Sequence, residues 1–450
     1  MRIFKRLVAV AAFVGLLALC NLVLSFGLIQ YGSRVQATWS DYDADPNIDT
    51  ILIGNSLVER GINPFVLDSK CGTNSCNLGT SQQELEESYL GIKSCVERDN
   101  VKTVVLGVEL SYFKNESYPN PASPFMYEKR QREGFSEGLF DAAYCLRQPG
   151  QVSAASSINW LFPWVEYHIG LNKKAITSNI ENRLSGKTPQ EVTSTVGSNF
   201  AWDGKGYGNT TDRYSFNDGS LVTYANYYKN VDTPLNERKI GILKDICALC
   251  KANGVDLIVT VSPIMPYNTI DYGSNYFETM DAVRDAVNEY GYRFFDFNMV
   301  KESHFSFDEK YYYDYQHLNR EGAEAFSSVL AEVLLNEKQG IDSSDYFYSK
   351  EDFYLANSGI LAASLKTKAQ GGEVIMDAGV ISGSDITAEY RYSYKKKGEK
   401  EWQLVSDYSG DKHTEVVVPE KGDYIVRVEV KQEGSDLDSE KYRTMGVKVK

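Results

Sequence analysis

Histidine is scarce in this sequence: His168, His304, His317 and His413 are the four among 450 residues. Histidine is the side chain best suited to act as a general base near neutral pH, so few positions can fill that role. His317 alone has an aspartate three residues before it, Asp314, and a helical pattern directly after it. His317 is therefore the leading candidate for a general base.

Metal and redox motifs are also lacking. The seven cysteines are scattered, and no two Cys-x-x-Cys units pair at the spacing of a zinc site. Cys247 and Cys250 lie within a helical pattern, which predicts buried packing rather than a redox pair. Cys71 and Cys76 could form a local disulfide in an oxidising exterior. No calcium motif or phosphate-cradling loop occurs, so we expect no metal and no other cofactor.

Positive charge is in the minority, because the formal net charge is −14. This balance argues against nucleic acid, or an anionic membrane surface, as the main partner, and it leaves a neutral glycan open. Apolar residues make up 42% of the chain, which is ample for a packed core. The roughly 420 residues that follow the N-terminal apolar segment suit two domains rather than one.

The N-terminal apolar segment spans residues 7–29, and its 23 residues are enough to cross a bilayer core of about 30 Å. Arg2, Lys5 and Arg6 precede it, and the next basic residue is Arg34. The positive-inside rule then predicts a cytoplasmic N-terminus and an extracellular C-terminal region.

A cleaved signal peptide is the alternative interpretation of this segment. Its apolar core would be shorter, and a small-x-small cleavage site would follow it, for which Ala37 is the nearest candidate. Segment length and flanking charge favour a retained single-span anchor over residues 1–34, at the cell membrane.

Short apolar runs alternate with helical patterns through the next part of the chain. The predicted strands are 50–54, 75–78, 101–108, 256–262 and 292–297. The predicted helices begin at Pro64 and cover 81–98, 235–253, 276–290 and 319–337, and a Ser-Gln-Gln-Glu capping box at 81–84 opens the first of these ranges. This alternation predicts an α/β domain, 35–340, with a five-stranded doubly wound parallel sheet.

Such sheets bind ligands at the carboxyl ends of their strands. Ser56 and Gly79 follow two of the predicted strand ends, and Asp314 and His317 lie in the loop after the last predicted strand. Because these ends meet at one edge of a sheet, we expect the four residues to lie together.

The segment 112–234 is too long for a plain connection and is predicted to be an insertion or a lid. Its part 199–230 is rich in aromatic residues, namely Phe200, Trp202, Tyr207, Tyr214, Phe216, Tyr224, Tyr227 and Tyr228. Aromatic faces suit sugar rings, which makes Trp202 and Tyr207 candidates for substrate binding. The favoured alternative is that the rings form the insertion's own small core.

The βα rhythm stops after residue 340. We predict a linker at 341–362 and an all-β sandwich at 363–450, with strands at 387–394, 401–405, 415–418, 424–430 and 442–449. On pattern alone this domain resembles immunoglobulin-like modules, which would bind cell-wall glycan or pack on the α/β domain.

Gly54-Asn55-Ser56 after the first strand, Gly79 after the second, and Asp314-x-x-His317 before the last helix together resemble the SGNH/GDSL hydrolase superfamily. The resemblance covers about residues 48–112 and 235–338 and implies a flavodoxin-like order of strands. The long insertion and the N-terminal span are similar to a membrane-tethered branch that includes alginate O-acetylation and teichoic-acid D-alanylation proteins. That branch works beside a membrane-bound O-acyltransferase.

The resemblance implies a role for each matched residue. Ser56 would be the nucleophile, His317 its general base, and Asp314 the group that orients the imidazole. The backbone N–H groups of Ser56 and Gly79 would form the oxyanion hole. The implied activity is that of a serine esterase or O-acyltransferase on acylated cell-surface or dietary polysaccharide.

One position departs from the family pattern. Many members carry Gly-x-Asn-Asp after the third strand, where the Asn donates to the oxyanion, and this chain has Gly107-Val108-Glu109-Leu110. A carboxylate cannot donate unless it is protonated. Glu109 and Asn55 are thus further candidates for contact with substrate. The departure keeps open a non-catalytic alternative, a surface protein that binds glycan or assembles with an acyltransferase.

Overall fold

The computed structural model describes residues 2–98, 100–148, 159–194, 199–223, 225 and 233–450. Its helices, in chain order, are α1 (Arg2–Leu28), α2 (Arg34–Ala44), α3 (Ser56–Gly61), α4 (Pro64–Cys71), α5 (Leu85–Arg98), α6 (Leu110–Lys114), α7 (Pro124–Glu133), α8 (Phe135–Leu146), α9 (Lys173–Leu184), α10 (Pro189–Thr193), α11 (Glu237–Ala252), α12 (Pro266–Tyr272), α13 (Ser274–Asn288), α14 (Arg320–Gln339) and α15 (Lys350–Ala356).

The strands, in chain order, are β1 (Thr50–Ile53), β2 (Ser75–Asn77), β3 (Thr103–Gly107), β4 (Phe200–Gly204), β5 (Tyr207–Thr210), β6 (Asp256–Val261), β7 (Arg293–Asp296), β8 (Ile360–Gln370), β9 (Glu373–Ser382), β10 (Ala388–Lys396), β11 (Gln403–Ser409), β12 (His413–Val417), β13 (Gly422–Gln432) and β14 (Lys441–Val449).

Helix α1 contains a span, Ile3–Leu28, that is long and apolar enough to cross a membrane, and none of its most apolar window is buried against the rest of the protein. An apolar surface of this length that remains exposed is typical of a segment surrounded by lipid. The structure thus contains the predicted N-terminal apolar helix.

The five-stranded sheet has the order β2-β1-β3-β6-β7, and all of its pairs are parallel. This confirms the predicted parallel α/β sheet. Counted within the sheet, the order is the 2-1-3-4-5 order of flavodoxin-like folds. The order in which strands are added reverses at β1, because β2 lies on one side of it and β3, β6 and β7 lie on the other. This reversal creates a crevice beyond the carboxyl ends of β1 and β3.

Helices cover both faces of this sheet. Successive residues of β1 alternate between two buried clusters, since Ile51 and Ile53 pack in one and Leu52 packs in the other. Residues of α5, α11 and α13 belong to the first cluster, and residues of α3, α4 and α14 to the second. This packing on both faces fixes the position of β1, whose carboxyl end borders the crevice.

The predicted capping box at 81–84 is wrong, because α5 begins only at Leu85. The Ser81 hydroxyl donates to the Glu59 carboxylate at 2.6 Å instead of capping the helix. Gln82 has a positive φ of 61°, which is incompatible with a helical turn. Tertiary contact to α3 therefore overrides the local helix signal.

Within the insertion, β4 and β5 form an antiparallel pair and α7 packs against α8. Tyr207 and Phe216 are buried in the same cluster as α14. These two rings are buried, as the favoured alternative expected, but they pack in the core of the α/β domain and not in a separate core of the insertion. Tyr224, Tyr227 and Tyr228 lie outside the described residues.

The C-terminal part has two antiparallel sheets, β11-β10-β13-β14 and β12-β9-β8, which enclose a third buried cluster. The strands predicted from the sequence do not include β8 and β9. Strand β8 reads Ile-Leu-Ala-Ala-Ser-Leu-Lys-Thr-Lys-Ala-Gln, and its burial does not alternate regularly, so it lacks the pattern by which strands are recognised.

The cysteines are free thiols, so Cys71 and Cys76 do not form the local disulfide considered above. Cys247 and Cys250 are both buried on α11, where they pack in the core as predicted.

Candidate active site

Ser56 is the first residue of α3 and follows a tight turn at the end of β1. Gly54 in this turn has a φ of 154°, and a Cβ atom there would lie 2.6 Å from the Gly107 carbonyl oxygen. Asn55 caps α3, because its side-chain oxygen accepts from the Leu57 N–H at 3.0 Å. The turn and the cap together direct the Ser56 side chain to the carboxyl edge of the sheet.

A hydrogen-bonded chain joins the three predicted catalytic residues. The Oγ atom of Ser56 lies 2.8 Å from Nε2 of His317, and Nδ1 of His317 lies 2.7 Å from a carboxylate oxygen of Asp314. The other Asp314 oxygen accepts from the backbone N–H groups of Gln316 and His317, at 3.0 and 2.8 Å. The loop before α14 thus holds the carboxylate in place through its own backbone.

Asp314 is ionised at neutral pH. Burial by itself raises the pKa of its carboxyl, but hydrogen bonds from the His317 ring and from two backbone N–H groups outweigh burial, and the pKa is lowered from its ordinary value. An ionised Asp314 holds a proton on Nδ1 of His317, so Nε2 is available to accept the Ser56 proton.

A second buried carboxyl, Glu59, lies one turn after Ser56 on α3. Burial raises its pKa, while the Ser81 hydroxyl, the Arg34 guanidinium and His317 each act to lower it. The Arg34 Nη1 atom is 3.5 Å from the Glu59 carboxylate. Neither residue was among the candidates predicted from the sequence. The spacing of three positions on one helix could have indicated Glu59, whereas no local signal marks Arg34.

An aromatic ring stacks on the His317 imidazole, and a cationic side chain lies beside that ring. The Tyr313 ring stacks on His317 with 5.4 Å between ring centroids and 17° between planes. The Arg60 guanidinium lies 5.7 Å from the centroid of the Tyr313 ring. These contacts limit rotation of the His317 ring, which preserves its alignment with Ser56.

The two backbone N–H groups that were expected to form the oxyanion hole differ in their hydrogen bonds. The Ser56 N–H forms no hydrogen bond to any other described residue, as is usual for the first residue of a helix. The Gly79 N–H, expected to be free, instead donates to the Asn77 side-chain oxygen at 2.9 Å. Asn77 is held there because its own Nδ2 donates to the carbonyls of Val58 and Ile62.

Glu109 is buried and lies shortly after β3. Many members of the family that the sequence resembles have an Asn at this position, whose side chain donates a hydrogen bond to the oxyanion. Its carboxylate accepts from the Ser111 hydroxyl, and the Asn55 side chain acts as a further donor. Burial, the largest effect, raises the pKa of Glu109 to about 7. Close to neutral pH, Glu109 therefore passes between a neutral form that can donate a hydrogen bond and a charged form that cannot.

A cleft of about 890 Å³ opens beside these residues, and we refer to it as the acidic cleft. Asn55, Glu59 and Glu109 border its inner end. Its outer walls come from the chain just after α1 and from the insertion, through Gln30, Ser33, Arg34, Tyr118, Phe125 and Tyr167. Glu84, Glu87 and Glu166 add further carboxyl groups.

The structure does not bring the two predicted aromatic contacts to this cleft. Tyr207 is fully buried in the core, and Trp202 is half-buried with its Nε1 atom 3.2 Å from an Asp41 carboxylate oxygen. The rings that line the cleft are Tyr112, Tyr118, Phe125 and Tyr167, which come from other segments of the chain.

The arrangement provides a nucleophile, a base and an orienting carboxylate in one hydrogen-bonded chain. Among the described residues, no group of three or more His, Cys, Asp or Glu side chains is arranged to hold a metal ion. The chemistry that these side chains can supply is nucleophilic attack by serine with general-base assistance.

No known family model matches the sequence, and no curated protein matches it significantly. Among solved structures, the chain is similar to a candidate acylhydrolase from Bacteroides fragilis, with 11% identity, a TM-score of 0.31, and coverage of 67% of this chain and 94% of the other. It is also similar to a GDSL-like lipase from Bacteroides thetaiotaomicron, with 10% identity, a TM-score of 0.31, and coverage of 68% and 98%.

Proposed function

We propose that this protein is a membrane-anchored serine esterase or O-acyltransferase of the SGNH/GDSL type, which forms an acyl-enzyme at Ser56. The observation that carries the proposal is the chain of hydrogen bonds from Ser56 through His317 to Asp314, at 2.8 and 2.7 Å. Distances of this size allow proton transfer without rearrangement of the site.

In the first half-reaction, Ser56 Oγ attacks the carbonyl carbon of an ester while His317 Nε2 takes the hydroxyl proton. The Ser56 N–H donates to the oxyanion that forms. The intermediate then collapses, and the leaving alcohol takes the proton from His317. In the second half-reaction, water or a glycan hydroxyl attacks the carbonyl carbon of the acyl-enzyme while His317 Nε2 takes its proton. The bond between the acyl carbon and Ser56 Oγ then breaks, His317 returns the proton to Oγ, and the carboxylic acid or the new glycan ester leaves.

The proposed substrate is an acylated cell-surface or dietary polysaccharide. The acidic cleft has room for sugar units, and its walls combine hydroxyl, carboxyl and aromatic groups, including Tyr118 and Tyr167. The formal net charge of −14 disfavours an anionic glycan through charge repulsion. A neutral, O-acylated glycan therefore suits the cleft best.

The proposed location is the outer face of a cell membrane, with α1 as a retained single-pass anchor. The span Ile3–Leu28 supports this location by its length and composition, and the basic residues before it favour a cytoplasmic N-terminus. A membrane-bound O-acyltransferase is the partner that such an arrangement would suit.

A second candidate function is non-catalytic, with the protein binding glycan or assembling with an acyltransferase. The occupied Gly79 N–H and the carboxyl group of Glu109 favour this alternative, because each removes a donor that an oxyanion needs.

The test uses the full chain in detergent micelles with p-nitrophenyl acetate as the acyl donor. Wild type should release p-nitrophenol, Ser56→Ala should fall to background, and Ser69→Ala should match wild type because Ser69 is exposed on α4. Added oligosaccharide that gains the acetyl group would identify a transferase. Equal rates in wild type and Ser56→Ala would refute the assignment, and glycan binding without turnover would favour the second function.

A further inference from the structure

The insertion carries a group of large apolar side chains that are exposed to solvent. We call Phe135, Leu139, Phe140, Leu161 and Val165 the apolar shelf, and their side chains are between 45% and 69% exposed. Clusters of exposed apolar residues in a folded protein mark surfaces that contact another apolar phase.

Helix α8 has large apolar residues outside its buried face as well as small apolar residues on it, which is unusual for a helix at the surface of a soluble domain. Gly138, Ala142 and Cys145 are buried toward the protein. Phe135, Leu139 and Phe140 are instead largely exposed. A helix with this pattern requires a second apolar environment on its outer face.

The apolar shelf is continuous with α1. The Phe135 ring packs on Trp160 with 5.5 Å between ring centroids. The next residue, Leu161, accepts a hydrogen bond through its carbonyl oxygen from Asn21 Nδ2 at 3.0 Å, and Trp164 Nε1 donates to Asn21 Oδ1 at 2.8 Å. The shelf therefore lies against the side of α1 and not only at its end.

The depth of this contact follows from helix geometry. If the apolar core of the membrane begins at Leu7, about 20 residues of helix cross its ~30 Å and reach Phe26. Asn21 lies five residues before Phe26, which is about 8 Å below the outer boundary at a rise of 1.5 Å per residue. Leu161 and Trp164 contact Asn21 at this depth.

The contact also satisfies a polar group that would be costly in lipid. An amide side chain in hydrocarbon loses its hydrogen bonds to water, which is unfavourable unless the protein replaces them. Leu161 and Trp164 satisfy both ends of the Asn21 side chain. Farther along, Asn179 of α9 donates to the carbonyls of Gly27 and Ile29, which completes the end of α1.

We propose that the apolar shelf inserts into the outer leaflet of the membrane beside α1, with lipid acyl chains as its occupant. The contact is apolar rather than electrostatic, so it is compatible with the negative net charge of the chain. The inference rests on the membrane anchor of the proposed function but is independent of the hydrolytic chemistry.

This arrangement sets the position of the acidic cleft. Its wall residues Gln30 and Ser33 follow α1 directly, and Tyr167 lies two residues after Val165 of the shelf. The Tyr167 hydroxyl donates to Ser33 Oγ at 2.7 Å, which links the two walls. The mouth of the cleft then opens at the level of the lipid headgroups, where an acyl donor or glycan held at the membrane surface reaches Ser56.

The test measures the depth of fluorescent labels in lipid vesicles. The full chain with the exposed Cys20 replaced, Cys20→Ala, is the background. Single variants Phe140→Cys and Leu161→Cys are labelled with bimane, and Leu404→Cys and Leu437→Cys, which replace exposed leucines of the β domain, serve as matched controls. Leu17→Cys reports whether α1 is inserted. Quenching by lipids that carry a nitroxide on the fifth acyl carbon is compared with unlabelled lipids.

We expect quenching at positions 17, 140 and 161 that is several-fold greater than at positions 404 and 437. Quenching at 17 without quenching at 140 and 161 would overturn the inference and leave the anchor standing. An absence of quenching at 17 would remove the anchor and the inference together. If either shelf variant is less stable than the background by thermal unfolding, Leu139→Cys and Val165→Cys report on the same surface.

Discussion

Nε2 of His317 lies 2.8 Å from Oγ of Ser56, although 261 positions separate the two residues in the sequence. Ser56 begins α3 directly after β1, and His317 lies in the loop that leads into α14. Both loops meet at the carboxyl edge of one parallel sheet, so the fold itself brings the hydroxyl to the imidazole.

Replacing Asp314 should abolish most activity without loosening the site. In Asp314→Asn the amide can donate to Nδ1 of His317, which favours the tautomer whose Nε2 carries the proton and cannot accept another. We expect kcat to fall by about 10²- to 10⁴-fold with little change in KM. The measurement is steady-state hydrolysis of p-nitrophenyl acetate.

Asp308→Asn is the matched control for this change. Asp308 lies in the same loop region but is exposed, and its carboxylate contacts the backbone N–H and the side-chain ammonium of Lys310. It should retain wild-type kcat. A similar loss in both variants, or none in Asp314→Asn, would contradict the role assigned to Asp314.

The Glu109 carboxyl should make activity sensitive to pH. Its pKa is raised by burial to about 7, so its neutral form prevails below that pH and its charged form above it. A charge there opposes the oxyanion, and kcat/KM of wild type should decline above about pH 7. Glu109→Gln, which cannot ionise, should keep its rate through the same range.

The same variant has a readout in stability. Between the ordinary carboxyl pKa and about 7, folded Glu109 holds a proton that the unfolded chain has lost, so stability falls as pH rises through this window. Glu109→Gln should lack this component when urea unfolding is compared at about pH 5 and about pH 8. Glu166→Gln, at an exposed wall of the cleft, should behave as wild type; identical pH profiles for wild type and Glu109→Gln would exclude Glu109 from the site.

Gly54→Ala should both destabilise the protein and displace Ser56. The new Cβ atom would lie 2.6 Å from the Gly107 carbonyl oxygen and 2.7 Å from a Val58 methyl group, at a φ that L-residues avoid. We expect a loss of about 1–3 kcal/mol in the free energy of unfolding, together with reduced kcat.

Gly241→Ala on α11 is the control for Gly54, since no atom lies within 4 Å of its added Cβ. It should be neutral or raise stability by up to about 1 kcal/mol. Thermal and urea unfolding measure both variants, and an unchanged midpoint for Gly54→Ala would disprove the steric argument.

Lys239→Met should be strongly destabilising. Lys239 is fully buried and forms ion pairs with Glu84 at 2.6 Å and Glu86 at 2.8 Å. Without the Lys239 ammonium group, the buried carboxylates lose a positive partner. We expect the free energy of unfolding to fall by about 3 kcal/mol, and not by more, because Arg238 still pairs with Glu86. Lys244→Met removes an exposed pair with Glu289, so its midpoint of urea unfolding should stay close to that of wild type. Equal midpoints of urea unfolding would contradict the assigned difference.

The sequence by itself determined the alternation of strands and helices, the parallel sheet and the apolar N-terminal helix. Each of these follows from local signals, because hydrophobic periodicity and turn residues act over a few neighbouring positions. Ser56, Asp314 and His317 could likewise be predicted as a candidate catalytic set, because each follows a predicted strand and so lies at the same edge of the sheet.

The hydrogen bonds and pKa values of the neighbouring groups, in contrast, depend on the tertiary structure. The Gly79 N–H is occupied because Asn77 is held by α3, and the Glu109 pKa is raised because the folded chain buries it. The contact of Glu59 with Arg34 and the apolar shelf against Asn21 likewise join distant segments. Such contacts depend on burial and on distances through space, which no local pattern of residues encodes.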